Sequence, residues 1–499
     1  MKLKYLLAAS VAGITGAVVL PAPVMAQQIT SGVEGIVLAE DGSAIPGATV
    51  TVTDERTGAA RTVSAGSSGN FRVSSLTTGG PYTITATAPG YEGQSLPDQS
   101  ITLQGNTSFT FRLAPTEVAG DVIVVTGARV QVTQLAVGPG TSFGEQILDV
   151  APTFNRDIRD VLRLDPRVNL ARDDLSGQDR ISCLGGNDRS NAFTVDGISQ
   201  SDVYGLNDNG FASRSSAPLP YDAVRETQVQ FAPFDVDYGN FTGCAINVVT
   251  KSGTNDLRFG GFFEYSDNGM RGNKVADEDV GAIEAEKRYG FYLGGPVIRD
   301  RLFLFAAYEH QEAGGPQEYG PTGSGAAKEL GSISLDQFNE VSDILSSVYG
   351  IETGPLAYSL PYENDRYFVR ADLQITDDHR FEATYQRLEE NTVKTDDFFT
   401  STSSSQLTGL NTYYNSGTTS DYYSGRLYSQ WSDMFSTEVR YSRSEVLDAQ
   451  DPIGGYEAQS SNPTPRIIVG IDNPTGPDAT ILAGPGVNRS ANALSPVYS

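Results

Sequence analysis

The sequence predicts a mainly β protein, made of a small all-β domain, a second globular unit with a short helix, and strands patterned for a transmembrane β-barrel. Three observations predict it. The chain opens on an export signal. Residues from about 30 to 114 break into short strand-like runs between turn residues. Beyond Asn255, apolar and polar residues alternate in block after block.

Lys2 and Lys4 give the signal its positive start, and residues 6–20 are apolar apart from Ser10, Thr15 and small glycines. Val24-Met25-Ala26 places small residues at the two sites a signal peptidase reads, so residues 1–26 form a signal peptide cleaved after Ala26. The stretch is short for a membrane span and runs into Pro21 and Pro23. No later segment approaches the roughly 18 consecutive apolar residues of a spanning helix. The mature chain is therefore expected to be soluble or to enter the membrane as a barrel. Loss of the two lysines takes the formal net charge from −26 to −28. So acidic a chain repels nucleic acid, and none is expected as a partner.

The two cysteines, Cys183 and Cys244, are an even count in an exported chain, and neither sits in a CxxC pair. A disulfide is expected, with two free thiols as the alternative.

In the first unit, strand-like runs cover 33–38, 48–53, 71–74, 82–88 and 109–113. Asp41-Gly42, Ile45-Pro46-Gly47, Gly69-Asn70 and Pro89-Gly90 punctuate them. Ala114-Pro115 ends the unit. The run Asp121-Val122-Ile123-Val124-Val125-Thr126-Gly127 follows, β-branched and short, with linker-like sequence on both sides and 128–141 reading as a linker. Two roles are open to it: a buried strand of a neighbouring domain, or a tethered strand that adds to the sheet edge of a partner.

Residues 142–253 form a second globular unit. Asn155 to Leu162 fits a short amphipathic helix with Ile158, Val161 and Leu162 on one face, stopped by Pro166. Residues 183–198 read as a strand ending in the tight turn Asp196-Gly197, and residues 224–230 alternate as a strand. Then come the barrel-like blocks. Tyr367, Val369, Ala371, Leu373 and Ile375 face away from Arg370, Asp372 and Gln374. Phe381, Ala383 and Tyr385 oppose Glu382, Thr384 and Gln386. This dyad repeat puts apolar residues toward lipid and polar ones toward a lumen.

About seven strands are expected, near 256–265, 289–293, 301–310, 366–376, 380–388, 421–431 and 435–446. Short turns at Gly295-Pro296, 376–379 and Ser432-Asp433 alternate with long loops. One long loop carries a helix signal. Ser334 and Gln337 make a capping-box pair, and Leu335, Phe338, Val341, Ile344, Leu345 and Val348 follow at helical spacing. Such a helix either contacts ligand or folds the loop over the barrel mouth; the second is the expectation.

Catalytic chemistry is missing from the sequence. The histidines are His310 and His379, and there is no HExxH, GxSxG or P-loop pattern. Gly138-Pro139-Gly140 lacks a following Gly-Lys. The stretch 202–209 lacks EF-hand spacing and reads as a solvated loop, and Asp277-Glu278-Asp279 as a hydrated face. No enzyme activity, catalytic residue, metal or cofactor is expected.

Several of these stretches resemble a known family. Gly35, then Ile45-Pro46-Gly47-Ala48-Thr49-Val50, Gly69-Asn70-Phe71, Tyr82-Thr83-Ile84-Thr85-Ala86 and Ala88-Pro89-Gly90-Tyr91 resemble the carboxypeptidase regulatory-like domain, a transthyretin-like sandwich without catalytic residues of its own. The run at 121–127 resembles the TonB box of TonB-dependent outer-membrane receptors. The stretch Arg189 to Ile198, with Arg189, Asn191, Asp196 and Gly197, resembles a plug motif of those receptors. Residues 238–253 resemble the end of that plug domain. The wording around 232–236, a cysteine in each motif, and 294–308 look most like the Oar-like branch.

The resemblance implies a signal peptide at 1–26 and a transthyretin-like β-sandwich at 30–114. A linker at 115–141 would carry the TonB box. An α+β plug domain would span 142–253, and the N-terminal part of a transmembrane β-barrel 254–499. Barrels of this family close with about 22 strands, and the end at Pro496-Val497-Tyr498-Ser499 carries no alternating strand. An N-terminal fragment of a longer protein is expected.

The implied function is uptake of an unidentified extracellular ligand by a monomeric receptor in the outer membrane of a Gram-negative cell. Lipid would surround the barrel and the first domain would lie in the periplasm. Asp121, Val122, Ile123, Val124, Val125 and Thr126 would pair with TonB, which an inner-membrane complex energises. The alternative is an adhesion or structural protein of the same architecture, and a signalling receptor ranks last.

Overall fold

The computed structural model describes residues 29–484, apart from 104, 117–124, 127–130, 135–138, 154–155, 173–178, 203–209, 215–216, 232–240, 282, 395–405, 433–434, 457–460, 462, 465 and 473–477. The first domain contains β1 (Thr30–Ala39), β2 (Thr49–Asp54), β3 (Ala60–Ser64), β4 (Asn70–Thr77), β5 (Gly79–Thr87), β6 (Gln94–Ile101) and β7 (Thr107–Leu113). Sheets β4-β1-β7 and β3-β2-β5-β6 enclose a core of Val33, Val37, Val50, Val52, Phe71, Ile84, Phe109 and Phe111. Alternation does this work: Val50 and Val52 in β2, and Tyr82, Ile84 and Ala86 in β5, are buried while their neighbours are not. Parallel strands β1 and β7 approach so closely at Gly35 that a Cβ there would lie 1.9 Å from the Phe109 carbonyl oxygen. The sequence pattern missed β3 and β6. Strand β6 carries Pro97 and a positive φ at Asp98, features tolerated where a strand has little neighbour on its outer side.

The linker differs from expectation. Val125–Thr126 forms β8, paired in parallel with Gln94 and Ser95 of β6. Gln131–Gln134 forms β9, antiparallel to Thr107–Thr110 of β7. The end of the apolar run is thus paired on the first domain rather than standing alone, and part of the expected 128–141 linker is strand. Asp121, Val122, Ile123, Val124 and Gly127 lie outside the described residues, as do 232–240 and 203–209.

The second unit is built on a sheet of order β10-β15-β16-β13-β14. Its parts in chain order are β10 (Gly140–Gly144), α1 (Glu145–Val150), α2 (Ile158–Leu162), the ribbon β11 (Val168–Arg172) with β12 (Asp179–Cys183), β13 (Ala192–Val195), β14 (Ile198–Ser199), β15 (Val224–Gln230) and β16 (Ala245–Thr250). Helix α2 starts later than the periodicity predicts because Asp157 caps it, accepting from the Arg159 N–H at 2.8 Å. It ends at Leu162, before Pro166. Ile158, Val161 and Leu162 pack with Phe143, Phe193, Val229, Ile246 and Val248 in one core. Cys183 and Cys244 form a disulfide, Cα atoms 5.9 Å apart, closing 61 residues of chain. Loss of chain entropy in the unfolded state makes such a bond worth about 4 kcal/mol.

The third unit is an open antiparallel sheet of seven strands in sequence order: β17 (Arg258–Ser266), β20 (Glu286–Ile298), β21 (Leu302–Pro316), β24 (Ser359–Thr376), β25 (His379–Lys394), β27 (Tyr414–Ser432) and β28 (Phe435–Pro452). The ribbon β18 (Lys274–Val275) with β19 (Glu278–Asp279) lies in the first long loop. Later loops carry β22 (Tyr319–Thr322), β23 (Lys328–Ser334), α3 (Leu335–Tyr349), β26 (Gln406–Thr408), β29 (Ile467–Ile471) and β30 (Ala479–Ala483).

The expected turn at Gly295-Pro296 is instead inside β20, and the chain reverses at residues 299–301. Strand β17 stops opposite Gly294, so Pro296 needs no N–H on that side. The loop helix has its full capping box at Ser334 and Gln337 and a left-handed Gly350 at its end. Its Phe338 and Leu345 are buried, and Phe338 shares a small core with Leu330, Ile333, Leu407, Ala479 and Ile481.

No helix among the described residues is long and apolar enough to cross a membrane. The strands present an apolar outer face instead: Leu304, Val369, Leu373 and Phe381 are exposed, while Arg366, Arg370 and Glu382 on the other face are buried. Tyr308 and Tyr367, and Tyr385 and Tyr423, pair on the outer face with ring centroids 5.0 and 4.9 Å apart. Trp431 meets His379 near the opposite strand ends. Aromatic residues at both borders of an apolar band are what a lipid-facing barrel wall requires.

Candidate functional site

The turn Asp196-Gly197 lies where the second unit meets the strand wall. Both residues have positive φ, 46° and 72°, which Asp tolerates and Gly adopts freely in a tight hairpin. The Asp196 carboxylate accepts from the Thr250 N–H at 3.0 Å and from its hydroxyl at 2.6 Å. The Asp196 carbonyl accepts from Arg426 at 2.7 Å, and that of Gly197 from Arg440 at 3.4 Å. Arg370 reaches Asp196 at 3.8 Å, Glu382 at 3.0 Å and Asp372 at 2.8 Å. Arg426 also lies 3.3 Å from Glu382. Burial, with the Glu382 charge adding to it, pushes the Asp196 carboxyl up against the pull of Arg370 and the Thr250 hydrogen bonds.

Further contacts fasten the same two units. Arg366 pairs with Glu309 at 3.0 Å, and Glu309 accepts from the Tyr221 N–H at 3.0 Å. Gln200 and Gln386 exchange amide hydrogen bonds of 2.8 and 3.0 Å. Phe305, Ala307 and Phe368 of the wall join the second unit's core. The second unit therefore sits against the polar face of the strands, filling what the dyad pattern marked as lumen.

Its opposite side is covered by the first domain. Strand β15 alternates, yet all seven of its residues are buried. Its polar face meets Leu103, whose N–H donates to Glu226 at 3.0 Å and whose carbonyl accepts from Gln228 at 2.7 Å. The Ser142 hydroxyl of β10 also bonds Glu226. Burial raises the Glu226 carboxyl despite these bonds. Burial also pulls Arg225 down to about 10, helped by Arg56 and Arg370. Thr77 bonds Arg380, and the Arg56 carbonyl accepts from Asn255 at 2.8 Å, so the first domain also touches the strand turns.

Three family models match successive parts of the chain. The carboxypeptidase regulatory-like domain matches residues 32–114, the TonB-dependent receptor plug domain 141–244, and the outer membrane beta barrel domain 249–495. The chain carries the plug and outer-membrane barrel domains of the TonB-dependent receptor family. Its place is the outer membrane of a Gram-negative cell. A relative, the TonB-dependent transporter Oar of Myxococcus xanthus, is 24% identical over 275 residues, 52% of this chain and 24% of that protein.

Among solved structures, the receptor is similar to the outer membrane transporter YddB from Escherichia coli. Identity is 13%, TM-score 0.45, with 68% of this chain and 42% of that one covered. It is also similar to the siderophore receptor PirA from Acinetobacter baumannii, at 20% identity and TM-score 0.42, covering 62% and 40%. At these scores the likeness carries no argument about function. The receptor chain spans about a quarter of the Oar length and under half of these solved chains. Its relatives are transporters and receptors, not enzymes.

The motif residues of the receptor divide by role. Asp196 and Gly197 meet the barrel. Asn191 instead ties plug segments together, donating to the Ile181 carbonyl at 2.8 Å and accepting from the Cys244 N–H at 3.0 Å, beside the disulfide. Arg189 is exposed, its N–H donating to the Asn187 side chain at 2.9 Å. Of the barrel partners, the sequence marks Arg370 and Glu382 only as lumen-facing, and it does not single out Arg366, Arg426 and Glu309. Their signal was charge at lumen-facing positions of the dyad repeat.

The ligating atoms of His310, Glu363 and Asp365 gather within 4.8 Å of one another, a grouping the sequence did not suggest. Asp365 already accepts from the Tyr308 hydroxyl at 2.6 Å and lies 3.0 Å from His310 Nδ1, so the geometry is that of a hydrogen-bonded cluster.

Strand β10, first in the plug, is also tied down. Its Thr141 hydroxyl donates to Asp165 at 2.5 Å, and Arg167 donates to the same carboxylate at 2.7 Å. The hydrogen bond from Arg167 leads in holding Asp165 down at about 2. A depressed carboxyl contributes stability that is complete above its ordinary value near 3.8 and is lost as pH falls through about 2. Asp165→Asn is expected to lower the plug's thermal midpoint at neutral pH, with the gap to wild type closing between about pH 4 and pH 2. A gap that ignores pH would remove the ionised carboxylate from the account.

Proposed function

We propose that the chain belongs to an energised transporter that takes up an unidentified ligand across the outer membrane. The observation that carries this is the position of β10. It is the first plug element after residues 121–127 and an edge strand, paired on one side with β15 over Gly140–Gly144. Tension applied at the run enters the plug sheet at its edge, where strands detach most easily. Residues 121–126 pair with the sheet edge of TonB by β-augmentation, so Ile123, Val124 and Val125 matter as strand formers more than as side chains.

The inner-membrane complex supplies the work, and the plug rearranges against the arginine-rich barrel wall. The apolar outer face with its tyrosines contacts membrane lipid, and the receptor acts as a monomer. The ligand meets the long loops and the outer face of the plug.

Val124→Pro removes a backbone donor from the run. It is expected to abolish crosslinking of the receptor to the periplasmic domain of TonB, and with it uptake, while membrane insertion stays normal. Undiminished capture of this variant would sink the mechanism. Absence of capture for wild type as well, with the barrel inserted, would favour an adhesion role.

A further inference from the structure

The sandwich domain at the N-terminus has four edge strands, β4 and β7 of one sheet and β3 and β6 of the other, and the linker pairs with β6 and β7. Val125–Thr126 adds to the β6 edge of one sheet, and Gln131–Gln134 adds to the β7 edge of the other. Within ten residues the chain crosses from one sheet of the sandwich to the other, pairing backbone to backbone on each. The surface that receives it is itself fixed. Leu103, in the turn between β6 and β7, is held by Glu226 and Gln228 of the plug, and Ile29 and Leu103 pack with the plug's Val249.

Val125 and Thr126 are two of the six residues proposed to pair with TonB. A strand's N–H and C=O groups along one side serve one neighbour at a time. We propose that the N-terminal domain is the resting partner of the box linker: its β6 and β7 edges hold the linker by β-augmentation and compete with TonB for it. This rests on the proposed pairing of residues 121–126 with TonB, and it gives the domain a role beyond a spacer. The domain sets how much of the linker is available, and TonB gains the strand by displacing it from β6 and β7.

Ser108 and Thr133 lie directly opposite each other in the β7–β9 register. Opposed residues in an antiparallel pair have Cα atoms roughly 4.5–5.5 Å apart, within reach of a disulfide. The test uses the full receptor in outer membranes with Ser108→Cys and Thr133→Cys together. The native disulfide is buried and stays out of reach of mild reductant. Formation of the new bond without TonB reads the pairing alone. Capture by a crosslinker-bearing periplasmic domain of TonB, before and after mild reduction, then reads the competition.

The expected result is that the bond forms, that the locked receptor is captured poorly, and that reduction restores capture. A second pair of variants needs no disulfide. Val132 and Thr133 direct their N–H groups to opposite sides of an edge strand, so proline is disruptive at one and tolerated at the other. Of Val132→Pro and Thr133→Pro, one is expected to raise capture by roughly three- to tenfold and the other to leave it unchanged.

Failure of the disulfide to form overturns the pairing. Equal capture of locked and reduced receptor, or no gain from either proline, overturns the competition while leaving the TonB reading intact. Bond formation with no capture of wild type or any variant defeats the TonB reading, and the competition falls with it.

Discussion

Arg370→Met is expected to weaken the seating of the plug by about 3–5 kcal/mol, the cost of stripping the partner from buried charges. Arg370 is 2% exposed and faces three carboxylates: Asp372, Glu382 and, more distantly, Asp196. Asp196 belongs to the plug and the other two to the barrel, so the arginine offsets repulsion across the boundary. Met preserves most of the side-chain volume and removes the charge. Glu382 keeps Arg426 at 3.3 Å, but the Asp196 carboxylate is left with its Thr250 hydrogen bonds and Asp372 loses both of its Arg370 hydrogen bonds.

The loss is read from denaturant unfolding of the plug in detergent, followed by protease sensitivity of β13–β16. Adding Asp196→Asn, Asp372→Asn and Glu382→Gln to Arg370→Met removes all three carboxylate charges while Arg426 keeps Glu438 at 3.3 Å, and should recover part of the loss because the groups around position 370 no longer carry unpaired charge. A change below about 0.5 kcal/mol for Arg370→Met would mean water reaches the boundary and screens these groups.

The sidedness of this cluster is legible in the amino-acid order alone. The dyad repeat sets Arg370 and Asp372 opposite Val369 and Ala371, and Glu382 opposite Phe381. What fills the lumen opposite them is not legible, because periodicity reports which face of a strand is polar and is silent on what covers it. The same limit explains β15, whose alternation marks one face as polar but does not show that this face lies under the first domain at Leu103. Local chemistry is readable where it is self-contained: the Ser334–Gln337 capping box and the Asp196-Gly197 turn each need few residues. Strand β6 escapes because Pro97 breaks its pattern, and the pairing of β8 and β9 escapes because edges accept strands through backbone groups that leave no trace in side-chain alternation. Gly295-Pro296 misleads for a related reason: proline marks a turn unless the neighbouring strand has already ended.

Glu226→Leu together with Gln228→Leu is expected to release the first domain from the plug without unfolding either. Glu226 and Gln228 hold the N–H and C=O of Leu103. Leaving each backbone group buried without a partner costs about 1–3 kcal/mol, so the pair is worth several times thermal energy. The plug core lies on the other side of β15, around Val224 and Val229, and is untouched.

Undocking is read by the rate at which a short bifunctional thiol crosslinker joins Thr77→Cys to Arg380→Cys, since the native Arg380 side chain reaches Thr77 there. The double leucine variant should slow this rate strongly, and an unchanged rate would transfer the docking to Arg56 and Asn255 instead. Glu226→Gln is the discriminating control, because it retains an acceptor for Leu103 and carries no charge. Burial raises the Glu226 carboxyl above its ordinary value of 4.5, so its contribution to docking is fully present below that value and is lost as pH rises through the raised one. Wild-type docking should therefore weaken as pH rises over that interval, while docking of Glu226→Gln stays level. A level wild-type profile would place the negative charge in contact with water, and would contradict the burial of Glu226 between Leu103 and Ser142.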